Sequence, residues 1–224
     1  GHVVRPILSD VNIGILFLLS VSGTCVYGTL IGGLASYNKW GVIGSARSVL
    51  QLISFEIVNG LSLIPVIMMV GSLSLIDIVH EQNNGITSWF LIKQPVCFVL
   101  FTIAAFIECN RTPLCLTENE TELVAGCGTA YSGMRWGMFF IGEYANMITY
   151  SIVISLIFLG GFNSFWFIPG SLMIFLKASF IFFFMLWTRA AWPHLRPDQL
   201  MDLCWKICMP IALICIFVTA FVII

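Results

Sequence analysis

The chain has 224 residues, of which 59% are hydrophobic, 14% aromatic and only 9% charged. That apolar share exceeds the roughly half found in soluble domains, so an ordinary water-soluble globule is excluded. Ten basic and eleven acidic residues leave a net charge of -1, without the basic patch that nucleic acid requires.

The apolar runs are continuous rather than alternating. The expected fold class is therefore all-α, a polytopic transmembrane helical bundle of six spans forming a single domain over residues 1–224. After a polar lead with Arg5-Pro6, the first helix is expected over 11–34, capped by Asp10 or Asn12. Its small residues (among them Gly14, Ser22, Gly23, Gly28 and Gly33) suit close packing in lipid. Residues 35–48, with Lys39 and Arg47, read as a polar connection. The second helix is expected over 48–78, kinked at Pro65 and long enough to project from the membrane. A hairpin over 80–94 follows, with its turn at Asn83-Asn84-Gly85. The third helix is expected over 95–108 or from Trp89 onward, because Pro95 is tolerated in lipid. The remaining spans are expected over 134–159, 169–187 and 203–224. Basic residues gather on alternate connections (Lys39, Arg47, Arg111, Arg135, Arg189, Arg196, Lys206), leaving Arg5 and Lys93 opposite. The positive-inside rule then puts the 108–133 loop on the inner side.

That loop is the densest polar stretch of the chain. Glu108, Glu118, Glu120 and Glu122 are four of the eleven acidic residues, set between two apolar runs. An ordinary solvated loop is the plain reading of such a cluster. Two features point instead to a structured one. Glu108 and Arg111 share a face if helical, and Thr117 to Glu120 has the form of a capping box. The two sequons, at Asn110 and Asn119, fall on the inner side and read as coincidental. Three charges lie inside apolar runs: Glu56, Glu143 and Lys177. Each costs at least about 2.5 kcal/mol at the bilayer centre unless partnered or hydrated. They are either paired structural contacts or part of a hydrated line that relays protons. The Phe180–Phe184 run reads as a lipid or helix contact. The eight Cys have no framework spacing and read as small buried hydrophobes. His2, His80 and His194 are too scattered for a shared metal site.

The motif Glu108-Cys109-Asn110-Arg111-Thr112-Pro113, followed by Leu116-Thr117-Glu118-Asn119-Glu120-Thr121-Glu122-Leu123-Val124, resembles the signature loop of one family. This is membrane chain 1 (the bacterial H subunit) of the proton-pumping NADH:ubiquinone oxidoreductase, respiratory complex I. Asn12 to Leu16, the segment from Gly44 to Glu56, Gly142-Glu143-Tyr144, Leu186 to Ala190 and Asp198 to Met201 fall in the family's order. The resemblance implies a subunit that forms part of the ubiquinone chamber and a path of buried acids toward the pumping subunits. Its own residues are not redox centres. Flavin and iron–sulfur clusters belong to partner subunits of the quinone-reducing arm, and other membrane-arm subunits adjoin it in the lipid. Carried over, Arg47 and Arg111 match chamber-lining positions. Glu56, Glu108 and Glu143 match the acidic line, with Glu118, Glu120 and Glu122 at its loop end. Lys177, Arg189 and Asp198 match supporting polar positions. The implied location is the mitochondrial inner membrane, or the plasma membrane of a bacterium.

Some positions depart from the family. Cys109 replaces a usual Thr, Cys115 a usual Asp and Ala130 a usual Glu. The chain also starts near the family's third span, so a separate N-terminal fragment of the same subunit is an expected partner. Two rival readings differ in class. One is a secondary transporter with Glu143 and Lys177 at a midplane substrate site, although no internal repeat is evident. The other is a non-catalytic anchor for a soluble assembly.

Overall fold

The computed structural model describes residues 12–110, 128, 130–163, 169–192 and 196–223, and every regular element among them is helical. In chain order these are α1 (Gly14–Ala35), α2 (Lys39–Val70), α3 (Leu75–Glu81), α4 (Phe90–Lys93), α5 (Pro95–Glu108), α6 (Met134–Ile157), α7 (Gly170–Ala191), α8 (Pro197–Asp202) and α9 (Met209–Ile223). Two short 3₁₀ turns flank Gly85, and a π-helical turn, Leu203–Cys208, joins α8 to α9.

Among the described residues, five stretches are long and apolar enough to cross a membrane: α1, α2, α6, α7 and Asp198–Ile223. The expected sixth, α5, is apolar but has only 14 residues, about 21 Å of helix. α2 differs most from the sequence expectation. It begins at Lys39, where the Asn38 side chain accepts from the Trp40 N–H at 3.3 Å. The expected connection over 35–48 therefore shrinks to a three-residue turn, and Arg47 lies within a helix. The reason lies in which face is polar. Ser45, Ser48, Gln51, Ser54, Asn59 and Ser62 are buried, whereas Val42, Ile43, Leu50, Ile53, Ile57 and Ile64 are exposed. In lipid such a pattern is stable, because apolar side chains face acyl chains and small polar ones mediate helix contact. α2 continues through Pro65 and stops at Gly71, whose N–H donates to the Ile67 carbonyl at 2.8 Å. Leu75–Glu81 is thus a separate helix rather than the tail of the second span.

Three other boundaries move by a few residues. α1 starts at Gly14 without a side-chain cap, and the Ile15 N–H instead donates to the Leu73 carbonyl at 3.3 Å. α7 runs on to Ala191. The last span starts earlier than expected and contains the π turn. α2 is the central element, packing against α1, α5 and α9, while α6 packs on α7. The main apolar core joins Phe90, Phe101, Met147, Ile154, Phe158 and Met185.

Candidate functional site

A cavity of about 650 Å³ opens between α1, α6 and the end of α5. α1 contributes Ser22, Cys25 and Thr29; α6 contributes Arg135, Glu143 and Asn146; Glu108 and Asn110 close it from α5. Spacings of three and four on α1, and of eight and three on α6, place each of these two sets on one helix face. The remaining wall is largely apolar and aromatic, with Trp136, Phe139, Phe140 and Tyr131. Tyr131 donates to the Gly32 carbonyl at 2.6 Å and so ties the entry of α6 to α1. A smaller cavity of about 140 Å³ continues along α1 and α6, lined by Ser22, Asn146, Thr149, Tyr150 and apolar residues from Ile15 to Ile157.

The two carboxylates of the larger cavity come from two successive helices, α5 and α6. Glu108 is half-buried at the last turn of α5 and accepts a hydrogen bond from the Tyr150 hydroxyl. Asn59 Nδ2 donates to the same phenol oxygen at 3.3 Å. Glu56 lies near enough to Glu108 for their charges to act on each other, with Asn59 also within reach of Glu108. Gly23 makes this approach feasible, because a Cβ there would collide with the Glu56 carboxylate. Glu56, Glu108 and Glu143 therefore gather around one junction of α1, α2, α5 and α6.

The other expected site residues fall elsewhere. Lys177, 8% exposed on α7, donates to the carbonyls of Leu159 at 2.6 Å and Gly161 at 3.2 Å. Its ammonium also lies 4.6 Å from the centre of the Trp89 ring. These carbonyls follow the end of α6, about 21 Å along the helix from Glu143. A Glu143–Lys177 substrate site, as the transporter reading requires, is not what this geometry offers. Lys177 instead complements a helix C-terminus, where the dipole favours a cation. Arg47 is half-buried on α2, outside the wall of the larger cavity. Arg189 and Asp198 are exposed, at the last turn of α7 and the first turn of α8. Arg111, Glu118, Glu120 and Glu122 lie outside the described residues, as do the Glu108–Arg111 pairing and the capping box. No group of three or more His, Cys, Asp or Glu among the described residues is placed to hold a metal.

Sequence reasoning did not find Asn59, Asn146 or Tyr150. Each could have been found by stepping three or seven residues along the helix from an acid within a span: Asn59 from Glu56, Asn146 and Tyr150 from Glu143.

The NADH dehydrogenase family profile matches residues 2–220. The chain is 66% identical over 219 residues to the H subunit of the NADH-quinone oxidoreductase of Campylobacter curvus, covering 98% of this chain and 66% of the relative. It is 60% identical to the subunit of the same name from Campylobacter concisus, with 99% and 66% covered. For the corresponding H subunit of Wolinella succinogenes the identity is 57%, with 100% and 68% covered. The chain thus spans about two thirds of the length of these curated relatives.

Proposed function

Since this chain belongs to the NADH dehydrogenase family, we propose that it is a core membrane subunit of a proton-translocating NADH:quinone oxidoreductase. In this reading it forms part of the quinone chamber and the first stretch of the acidic coupling path. One observation carries it: Glu108 and Glu143 line the same cavity, with Glu56 set against Glu108. The cavity's volume falls within the 300–1,000 Å³ range of small-molecule sites, and its wall is apolar with few polar groups. Aromatic and methionine side chains suit a flat quinone ring and an isoprenoid tail. Arg135, Asn110 and Asn146 supply the polar contacts.

When bound, quinone supplies the redox change, with electrons delivered through flavin and iron–sulfur clusters on partner subunits. The chain contributes geometry and charge. Glu108 and Glu56 are neighbours, close enough for the charge of one to act on the other. Glu143 shares the larger cavity with Glu108, and a change at one end of the cluster is felt at the other. The family resemblance assigns Glu118, Glu120 and Glu122 to the loop end of this path and Arg111 to the quinone chamber; all four lie outside the described residues. Arg47, Arg189 and Asp198 serve as supporting polar positions. The sixth crossing is α4 and α5 taken together, a broken helix of about 28 Å from Phe90 to Glu108. At the break the Gln94 N–H donates to the Phe90 carbonyl at 2.8 Å and the Gln94 carbonyl accepts from the Phe98 N–H at 3.2 Å, so its backbone groups stay paired. The acidic side faces the inner compartment, and the bacterial relatives favour a bacterial plasma membrane over a mitochondrial one.

The test is Glu143→Gln in the intact complex. Quinone reduction coupled to proton uptake is expected to fall about tenfold, equivalent to roughly 1.4 kcal/mol of barrier. Assembly and NADH oxidation with an artificial acceptor should persist. Unchanged coupled turnover would overturn the relay role. Uptake of a solute without quinone would restore the transporter reading.

A further inference from the structure

We propose that Tyr150 is the positioning residue of Glu108, fixing which carboxyl oxygen gains and loses the proton. The inference rests on the acidic path described above and goes beyond it. A phenol has one hydrogen to give and lone pairs to receive. Asn59 Nδ2 donates to the Tyr150 oxygen at 3.3 Å, and the phenol hydrogen is directed to Glu108 Oε2. Oε2 is thereby held as an acceptor. Glu108 Oε1 is buried and has no hydrogen-bond partner among the described residues. Oε2 keeps a second lone pair, but only at Oε1 does an arriving proton meet no donor already in place.

Placement strengthens the argument. Glu108 borders the larger cavity and Tyr150 the smaller one, and Ser22 borders both. The Tyr150–Glu108 contact thus joins the wall of one space to the wall of the other. Asn59 is fully buried on α2, Glu108 ends α5 and Tyr150 sits on α6. Three helices meet through one phenol. The Tyr150 ring is seated against Phe101, with centroids 6.4 Å apart, so Tyr150→Phe can keep the packing while removing only the hydroxyl.

The experiment uses infrared difference spectra of the whole complex, oxidised against NADH-reduced. Glu108→Gln identifies the Glu108 carboxyl band by its loss. In Tyr150→Phe that band is expected to shift, and coupled quinone reduction to fall about fivefold, roughly 1 kcal/mol of barrier. An unmoved band overturns the proposal, whether turnover falls or not, because a merely structural role would leave Glu108's bonding intact. If Tyr150→Phe does not assemble, 3-fluorotyrosine at position 150 keeps the shape and strengthens the donor. A shifted band then supports the proposal and an unshifted one overturns it. Unchanged turnover in Glu108→Gln itself would instead remove the acidic-path reading, whereas the band shift would still report positioning.

Discussion

At the C-terminal end of α6 a buried cation is met from several sides. Lys177 receives two carbonyls and an aromatic face, and Gln82 Nε2 donates to the Ile157 carbonyl beside it at 2.9 Å. Gly160, at φ 74°, turns the chain so that the Gly161 N–H donates to the Ser155 carbonyl at 2.9 Å. Toward the other end of the same helix, carboxylates border open space. Glu143 and Glu108 line a cavity, and one oxygen of Glu108 is left without a partner among the described residues. A charge saturated by fixed backbone groups has one stable arrangement and holds the fold in place. A charge beside a cavity can change its proton occupancy without dismantling anything. One helix thus carries a clamp and, in the reading proposed above, a responsive site about 21 Å from it.

The contrast is open to direct tests. Lys177→Met keeps the apolar stem but strands the carbonyls of Leu159 and Gly161. It should destabilise the subunit by about 2–3 kcal/mol, read as a lower thermal midpoint and poorer assembly, while turnover per assembled complex stays near wild type. Lost turnover with normal assembly would erase the distinction between the two ends. Gly23→Ala should do the reverse. The added methyl displaces the Glu56 carboxylate, and coupled quinone reduction should fall about threefold, roughly 0.6 kcal/mol of barrier, with little effect on assembly. Asp202→Asn, which removes the exposed Lys206–Asp202 pair at 2.7 Å, is the control. It should change stability by no more than about 0.5 kcal/mol and leave turnover unchanged.

Much of this arrangement was legible in the residues. The bounds of α5 and the start of α6 coincide with the expected ones, because Pro95 and Gly133 punctuate apolar runs unambiguously. Glu56, Glu108 and Glu143 stood out because charge is rare in a span. The start of α2 was not legible. Lys39, Ser45, Arg47 and Ser48 read as solvated chain by the logic of water, but in lipid small polar residues turn inward toward α1. The partners of Lys177 were hidden for a related reason. Depth along a span is written in the sequence, but the partner that meets a charge is set by tertiary packing. Tyr150 was hidden because its importance lies in a contact across 42 positions of chain.

The π turn at Leu203–Cys208 is one residue richer than the α-helix around it. It lets Cys204 reach the Ser54 carbonyl at 3.5 Å while Ala212 still faces inward a few residues later. Were the same residues wound as plain α-helix, with none removed, everything downstream would be rotated by about 100°. Ala212 and Thr219 would then swing toward the acyl chains, and large side chains such as Phe217 toward α2. The last span is thus phased against α2 by one surplus peptide unit, a local irregularity that sets which way a whole helix faces.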